Sequence, residues 1–501
     1  MIGFVARLPV AGQLPQQDTA LEDVVKTRRI VEWIITGVLA VVLLVGGFAL
    51  AVFQREVAAA AGWTREGAPT TVAPTLFDQP SATPSAVEAA GTGLIGAAAV
   101  PSEGPVPVRA TLESKLAGLD TSKLVGVDGA AVSLAYEVLD VATGEVLASK
   151  SATTPLIPAS NTKTLTTLAV MNAFDGEERF ATTVVQPEPG RIVIVGSGDP
   201  TLLSVPAKAG TYPRPATTQD LAARTAEALK QAGQTSVTLG FDATWFEEPG
   251  WNATWPANYR DQVTQLSALW VDEGKLPAGG RSRTPALDAA KTFAAQLTAN
   301  GITVTGEPTP ATGSGDEVAR VESLPLHVLV ETAMNRSNNS YTEVLGLQLA
   351  RHVGQPTTFA GSVAAIRAEL TELGVWDEGT VLHDASGLSR SNLVTANMLA
   401  KAMLLLDSQP HLSVILDGLP TAGVTGTLAD RFTDDISSPA RGVARAKTGT
   451  LSLVSSLAGT TITDDGRLVS FAFIINGPPD GWASKVWADQ ATGVVASCGC
   501  S

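Results

Sequence analysis

From Trp33 to Phe53 the chain reads WIITGVLAVVLLVGGFALAVF, 21 residues without a charge. At about 1.5 Å per residue, a helix of that length crosses a hydrocarbon core of roughly 30 Å. A buried helix of a water-soluble body seldom runs this long without a polar face. The pattern therefore predicts a single transmembrane helix over residues 30–53. A cleaved signal peptide is the alternative, with Ala58–Ala61 offering small residues for cleavage. The apolar run exceeds the roughly 7–15 residues of a signal's apolar core, which favours an uncleaved anchor. Lys26, Arg28 and Arg29 precede the span, whereas Arg55 and Arg65 beyond it are offset by Glu56 and Glu66. The positive flank stays inside. This predicts a cytoplasmic tail over 1–29, a membrane-held chain and an extracellular body, with a secreted form if the anchor is cleaved.

Residues 54–107, rich in Ala, Pro, Thr, Ser and Gly, show no helical or strand period and read as a disordered linker. Beyond them, Ala131–Ser149 holds two β-rich runs split by Ala142-Thr143-Gly144, a hairpin signal. A helix is expected from Ser160 to Ala173, and short strands near Arg191–Val195. Asp220–Gly233 and Pro285–Gly301 are amphipathic helices closed by glycine, each followed by a strand. Helices dominate from Leu324 to Leu406, and Val454–Ile462 and Arg467–Ile475 form a last hairpin through Asp464-Asp465-Gly466. Strands at both ends and helices between predict one α+β domain. Its first part would be residues 108–180, its second 321–501, with 181–320 inserted.

Charge and cysteine content narrow the options. The formal net charge of −15 argues against nucleic acid as a main partner. The two cysteines, Cys498 and Cys500, sit at the C-terminus and are expected in a loose tail. His327, His352, His383 and His411 show no metal-ligand spacing. No metal or cofactor is expected.

Three short motifs follow in order: Ser160-Asn161-Thr162-Lys163, Ser337-Asn338-Asn339 and Lys447-Thr448-Gly449. Singly each has a plainer reading, as a helix cap, a polar interhelical turn and a strand-opening turn. Together they are the S-x-x-K, S-x-N and K-T-G set of serine β-lactamases and penicillin-binding proteins. Spaced i and i+3 on a helix, Ser160 and Lys163 share a face, so a lysine of lowered pKa can take the serine's proton. Lys447-Thr448-Gly449-Thr450 is expected at the start of an edge strand, its glycine admitting substrate backbone.

The chain resembles the peptidase S13 family, the D-Ala-D-Ala carboxypeptidase/endopeptidases of class C penicillin-binding type. Leu156-Ile157-Pro158-Ala159-Ser160, Gly196-Ser197-Gly198-Asp199-Pro200 and Asp384-Ala385-Ser386-Gly387-Leu388-Ser389-Arg390 carry the likeness beyond the three motifs. It spans about 108–480 and implies a penicillin-binding/β-lactamase-like serine transpeptidase fold with an inserted domain. It also implies hydrolysis of D-alanyl bonds in peptidoglycan stem peptides through an acyl-enzyme, with β-lactams as covalent inhibitors. By the resemblance, Ser160 is the nucleophile, Lys163 its base and Ser337 a proton relay. Asn339 binds a substrate amide, and Lys447 and Thr448 hold the substrate carboxylate, with Gly449 beside them among the substrate-binding residues. The N–H groups of Ser160 and Thr450 form the oxyanion hole. Asn338 stands where the family often has Asp. The segment between Lys163 and Ser337 is shorter than in the best-known members, so one of their two nested inserted domains is expected to be reduced or missing. A β-lactamase or esterase on the same scaffold, or an inactive wall-binding module, are the alternative readings.

Overall fold

The backbone of β11 (Leu468–Asn476) shows how the main sheet is buried. Val469, Phe471, Phe473 and Ile475 point to one face and pack with Leu112, Leu116 and Trp487. Ala472 and Ile474 point to the other and pack with Leu165, Leu399 and Met403. Successive side chains of a strand alternate faces, so a strand covered on both sides reads as an unbroken apolar run. This computed structural model describes residues 104–247 and 250–499. The apolar stretch 30–53 and the linker up to residue 103 lie outside them. Among the described residues, no helix is long and apolar enough to cross a membrane.

The main sheet joins both ends of the body. β1 (Ser133–Asp140) and β2 (Val146–Lys150) pair with each other, and β1 pairs with β11. β10 (Val454–Ile462) and β9 (Arg445–Leu451) complete the order β2-β1-β11-β10-β9, antiparallel throughout. Helices Arg109–Ala117 and Gly481–Ala496 cover one face. The other carries Thr162–Ala173, Leu326–Asn335, Asn339–His352, Phe359–Glu372 and Ala396–Ser408.

A second sheet lies between the two halves in sequence. It contains β3 (Ala181–Glu188), β4 (Arg191–Gly196), β5 (Ser236–Asp242), β6 (Thr303–Val304), β7 (Thr309–Pro310) and β8 (Asp316–Glu322). The amphipathic helices Thr218–Gln231 and Pro285–Ala299 cross from β4 to β5 and from β5 to β6, and both strand pairs are parallel. The two helix–strand units of the sequence are thus consecutive βαβ crossovers, their apolar faces meeting at Leu221, Leu229, Phe293 and Leu297. Between β5 and the second crossover helix, Trp255, Leu266 and Trp270 pack against Val344, Leu347 and Leu388 of the helical half.

The C-terminus departs from the expected loose tail. Trp487, Ala491 and Val495 anchor the last helix in the core, and Cys498 just after it is fully buried. The apolar positions of that helix, not its place in the chain, decide its order. Cys500 lies outside the described residues.

Candidate active site

The turn that presents Ser160 is forced into an unusual shape. Ala159 takes a left-handed φ of +50°, and a 3-10 turn, Ala159–Asn161, leads into helix Thr162–Ala173. A non-glycine residue in that region costs roughly 1–2 kcal/mol, so its surroundings must hold it there. They do so from β10 and β9. Asn161 Nδ2 donates to Ser456 Oγ (2.8 Å), which donates to the Pro158 carbonyl (2.6 Å). A Cβ on Gly449 would fall 2.5 Å from that carbonyl and 2.1 Å from Ser456 Oγ. The missing side chain at Gly449 thus makes room for the Ser160 turn.

Lys163, one turn along the helix, is completely buried. Its Nζ donates to Ser160 Oγ (3.0 Å), Asn339 Oδ1 (2.6 Å) and the Ser386 carbonyl (2.6 Å). Burial pulls its pKa from 10.5 to about 7, against the carboxylates of Asp384 and Glu343, which favour the ammonium. A neutral amine beside the serine is thus accessible at neutral pH.

The second motif turns the chain between helices Leu326–Asn335 and Asn339–His352. Ser337 has φ +50°, and Asn338 caps the following helix, its Oδ1 accepting from Tyr341 N at 3.0 Å. Asparagine caps as well as aspartate, so the cap is kept with Asn338 at this position. Asn339 spans the site, accepting from Lys163 and donating its Nδ2 to the Gln262 carbonyl at 2.8 Å. Its second amide hydrogen remains for a ligand.

Lys447 reaches in from the edge strand β9. It is fully buried, and its Nζ donates to Ser337 Oγ (2.7 Å) and to the Thr448 carbonyl (2.8 Å). Burial and the neighbouring Lys163 ammonium push it well below the ordinary lysine range. A cleft of about 850 Å³ opens over these groups. Ser160, Ser337, Asn339, Thr448 and Thr450 line its floor, and the inserted segment supplies Tyr259, Asp261 and Gln262 to its wall.

Two important groups carry no role in the sequence reading, Glu343 and, within its motif, Asp384. Glu343, fully buried, accepts from Ser386 N (2.8 Å) and Ala385 N (3.3 Å), and burial together with Asp384 pushes its pKa up. It is the one charge in the stretch Ser340–Ala350, and an acid alone on a buried helix is the signal that marks it. Asp384, at 1% exposure, accepts from four donors drawn from its own loop and from Trp255.

A serine whose hydroxyl touches a buried low-pKa lysine, faced by a second serine–lysine pair beneath an open edge strand, defines a serine-type acyl-transfer hydrolase. The D-Ala-D-Ala carboxypeptidase 3 (S13) family profile matches residues 126–279 and 268–497. A carboxypeptidase of Mycobacterium tuberculosis is 35% identical over 424 residues, 79% of this chain and 88% of the relative. The carboxypeptidase DacB of Mycolicibacterium smegmatis is 33% identical over 420 residues, 81% of this chain and 88% of that one. Among solved structures, penicillin binding protein 4 (dacB) from Haemophilus influenzae matches with a TM-score of 0.63 at 19% identity, covering 76% of this chain and 97% of its own. The chain belongs to the S13 family and is a serine-type D-Ala-D-Ala carboxypeptidase.

Proposed function

We propose that Ser160 is the residue acylated when this enzyme cleaves the D-alanyl bonds of peptidoglycan stem peptides. The observation that carries the reading is the 3.0 Å contact between Ser160 Oγ and a fully buried Lys163. With Lys163 neutral, the contact reverses: the serine hydroxyl donates to the amine lone pair. Oγ then attacks the penultimate D-alanyl carbonyl as its proton passes to Nζ. The oxyanion meets the N–H groups of Ser160 and Thr450, held at the helix start and on the strand edge. Ser337 relays a proton to the leaving amine, and water releases the acyl group.

Lys447 and Thr448 hold the carboxylate beside the scissile nitrogen. Among the described residues no carboxylate pairs with Lys447, which burial and Lys163 push toward neutrality. A substrate carboxylate restores its charge, so binding takes up a proton. A crosslink to the D-centre of a diamino acid presents a carboxylate at the same place, so one site serves carboxypeptidase and endopeptidase cleavage. β-Lactams, which the Haemophilus influenzae protein binds in a solved complex, acylate Ser160 in the same way. Residues 30–53 anchor the enzyme with its N-terminus cytoplasmic, a reading supported by the uncharged stretch and its basic flank.

The test is release of D-alanine from a D-Ala-D-Ala peptide by the wild type and Ser160→Ala. The expected result is loss of release by the variant with unchanged thermal stability. Release at the wild-type rate with Ser160 gone would overturn the assignment.

A further inference from the structure

The reading of Lys163 as the base leaves open what fixes its position. One of its three acceptors is the Ser386 carbonyl, 2.6 Å away and 223 residues on in sequence. That carbonyl shares a planar peptide unit with the N–H of Gly387, so the two groups point in opposite directions. The Gly387 N–H donates to Asp384 Oδ1 at 2.9 Å. Whatever orients Asp384 therefore aims the Ser386 carbonyl at the lysine. The preceding peptide is held as well, its Ser386 N–H on Glu343. Gly387 itself has φ +83°, and a Cβ there would fall 1.9 Å from the Ala159 carbonyl, so the loop lies directly against the Ser160 turn.

Asp384 is almost completely buried and must be fully partnered. Oδ1 also accepts from Asn392 Nδ2 (2.7 Å), and Oδ2 accepts from Ser389 N (2.6 Å). These three donors come from its own loop. The fourth does not: Trp255 Nε1 donates to Oδ2 at 2.7 Å from the segment between β5 and helix Pro285–Ala299. The neighbouring Asn252 Nδ2 donates to the His383 carbonyl at 2.7 Å. The Trp255 ring is edge-on to Trp251 and Phe359, with centroids 5.2 and 5.3 Å away.

We propose that Trp255 is a positioning residue for the catalytic lysine, acting through Asp384 and the Ser386–Gly387 peptide. The inserted segment thus fixes the base of the active site as well as walling its cleft. The inference rests on the assignment of Ser160 and Lys163 above.

Trp255→Phe keeps an aromatic ring against Trp251 and Phe359 while removing the N–H together with the rest of the five-membered ring. Losing one hydrogen bond to a buried charged group corresponds to about a tenfold effect or more. The expected result is an acylation rate constant for a fluorescent penicillin, per titrated active site, about tenfold lower. A Ser386 carbonyl that drifts from Nζ favours the ammonium less, so the acid limb of the pH profile moves to lower pH. The other charges facing Lys163, namely Asp384, Glu343 and Lys447, are unchanged in this variant. Asp384→Asn is the second variant, with a larger loss expected, and adding Trp255→Phe to it should cost little more. A wild-type rate and limb in Trp255→Phe, or losses that multiply in the double variant, would overturn the proposal. A wild type whose label sits elsewhere than Ser160 would instead overturn the assignment beneath it.

Discussion

Lowering the pH should switch off acylation before it unfolds the enzyme. Burial takes Lys163 from 10.5 to about 7, which disfavours the ammonium by about 5 kcal/mol at 1.36 kcal/mol per pKa unit. The side chain has no exposed surface, so little of this is lost to solvent screening. Only the neutral amine accepts the serine proton. The neutral fraction falls about tenfold for each pH unit below about 7 and is near complete at pH 9. The single-turnover acylation rate constant should therefore rise about tenfold per unit below pH 7 and level off above it. Stopped-flow mixing with a fluorescent penicillin between pH 5 and 9 measures this directly, with circular dichroism confirming that the fold persists. The sign also bears on stability. A lysine depressed in the folded state binds fewer protons there than in the unfolded chain between about pH 7 and 10.5, so its contribution improves as pH rises through that window. A flat rate profile, or a limb centred near the ordinary lysine value of 10.5, would refute the role of burial.

Four further outcomes are expected. Amidating the terminal carboxylate of a D-Ala-D-Ala substrate should lower kcat/KM by at least about tenfold, and Lys447→Ala by a similar factor without adding to it. KM for the free acid should rise with pH as Lys447, already held well below the ordinary lysine range, loses its proton, and KM for the amide should not. Gly449→Ala should slow acylation and lower stability by about 1–3 kcal/mol, seen as a drop in Tm, because its Cβ would meet the Pro158 carbonyl and Ser456 Oγ. Protease added to wall-stripped cells should degrade the body and spare the N-terminal segment; a body protected until the membrane is opened would contradict the proposed topology.

What could be read locally was read from local pattern. The apolar run at 468–475, interrupted only by Ser470, and the Asp464-Asp465-Gly466 turn mark the last hairpin, and β10 and β11 form there. The helix ending in glycine before each short strand marks the crossovers on either side of β5. Helix Thr162–Ala173 was legible as a helix but not as the buried centre of the fold, because its threonines look like a solvated face. In fact Thr166 and Thr167 hydroxyls are satisfied by the Ala385 and Lys163 carbonyls. The contacts that tune the site were not legible. Lys163 to Ser386, Asn339 to Gln262 and Trp255 to Asp384 join residues 223, 77 and 129 positions apart. No local period encodes such pairs. The tight fit of Gly449 is illegible for the same reason, since the group it accommodates, the Pro158 carbonyl, comes from a segment remote in sequence.

The central claim, acylation at Ser160 by a neighbouring neutral lysine, is tested most directly by trapping the intermediate. The protein is mixed with benzylpenicillin, quenched, digested and mapped by mass spectrometry. The expected result is one penicilloyl group on the peptide containing Ser160, formed slowly at pH 5 and fast at pH 8. An adduct on Ser337 or any other residue, or none at either pH, would contradict it.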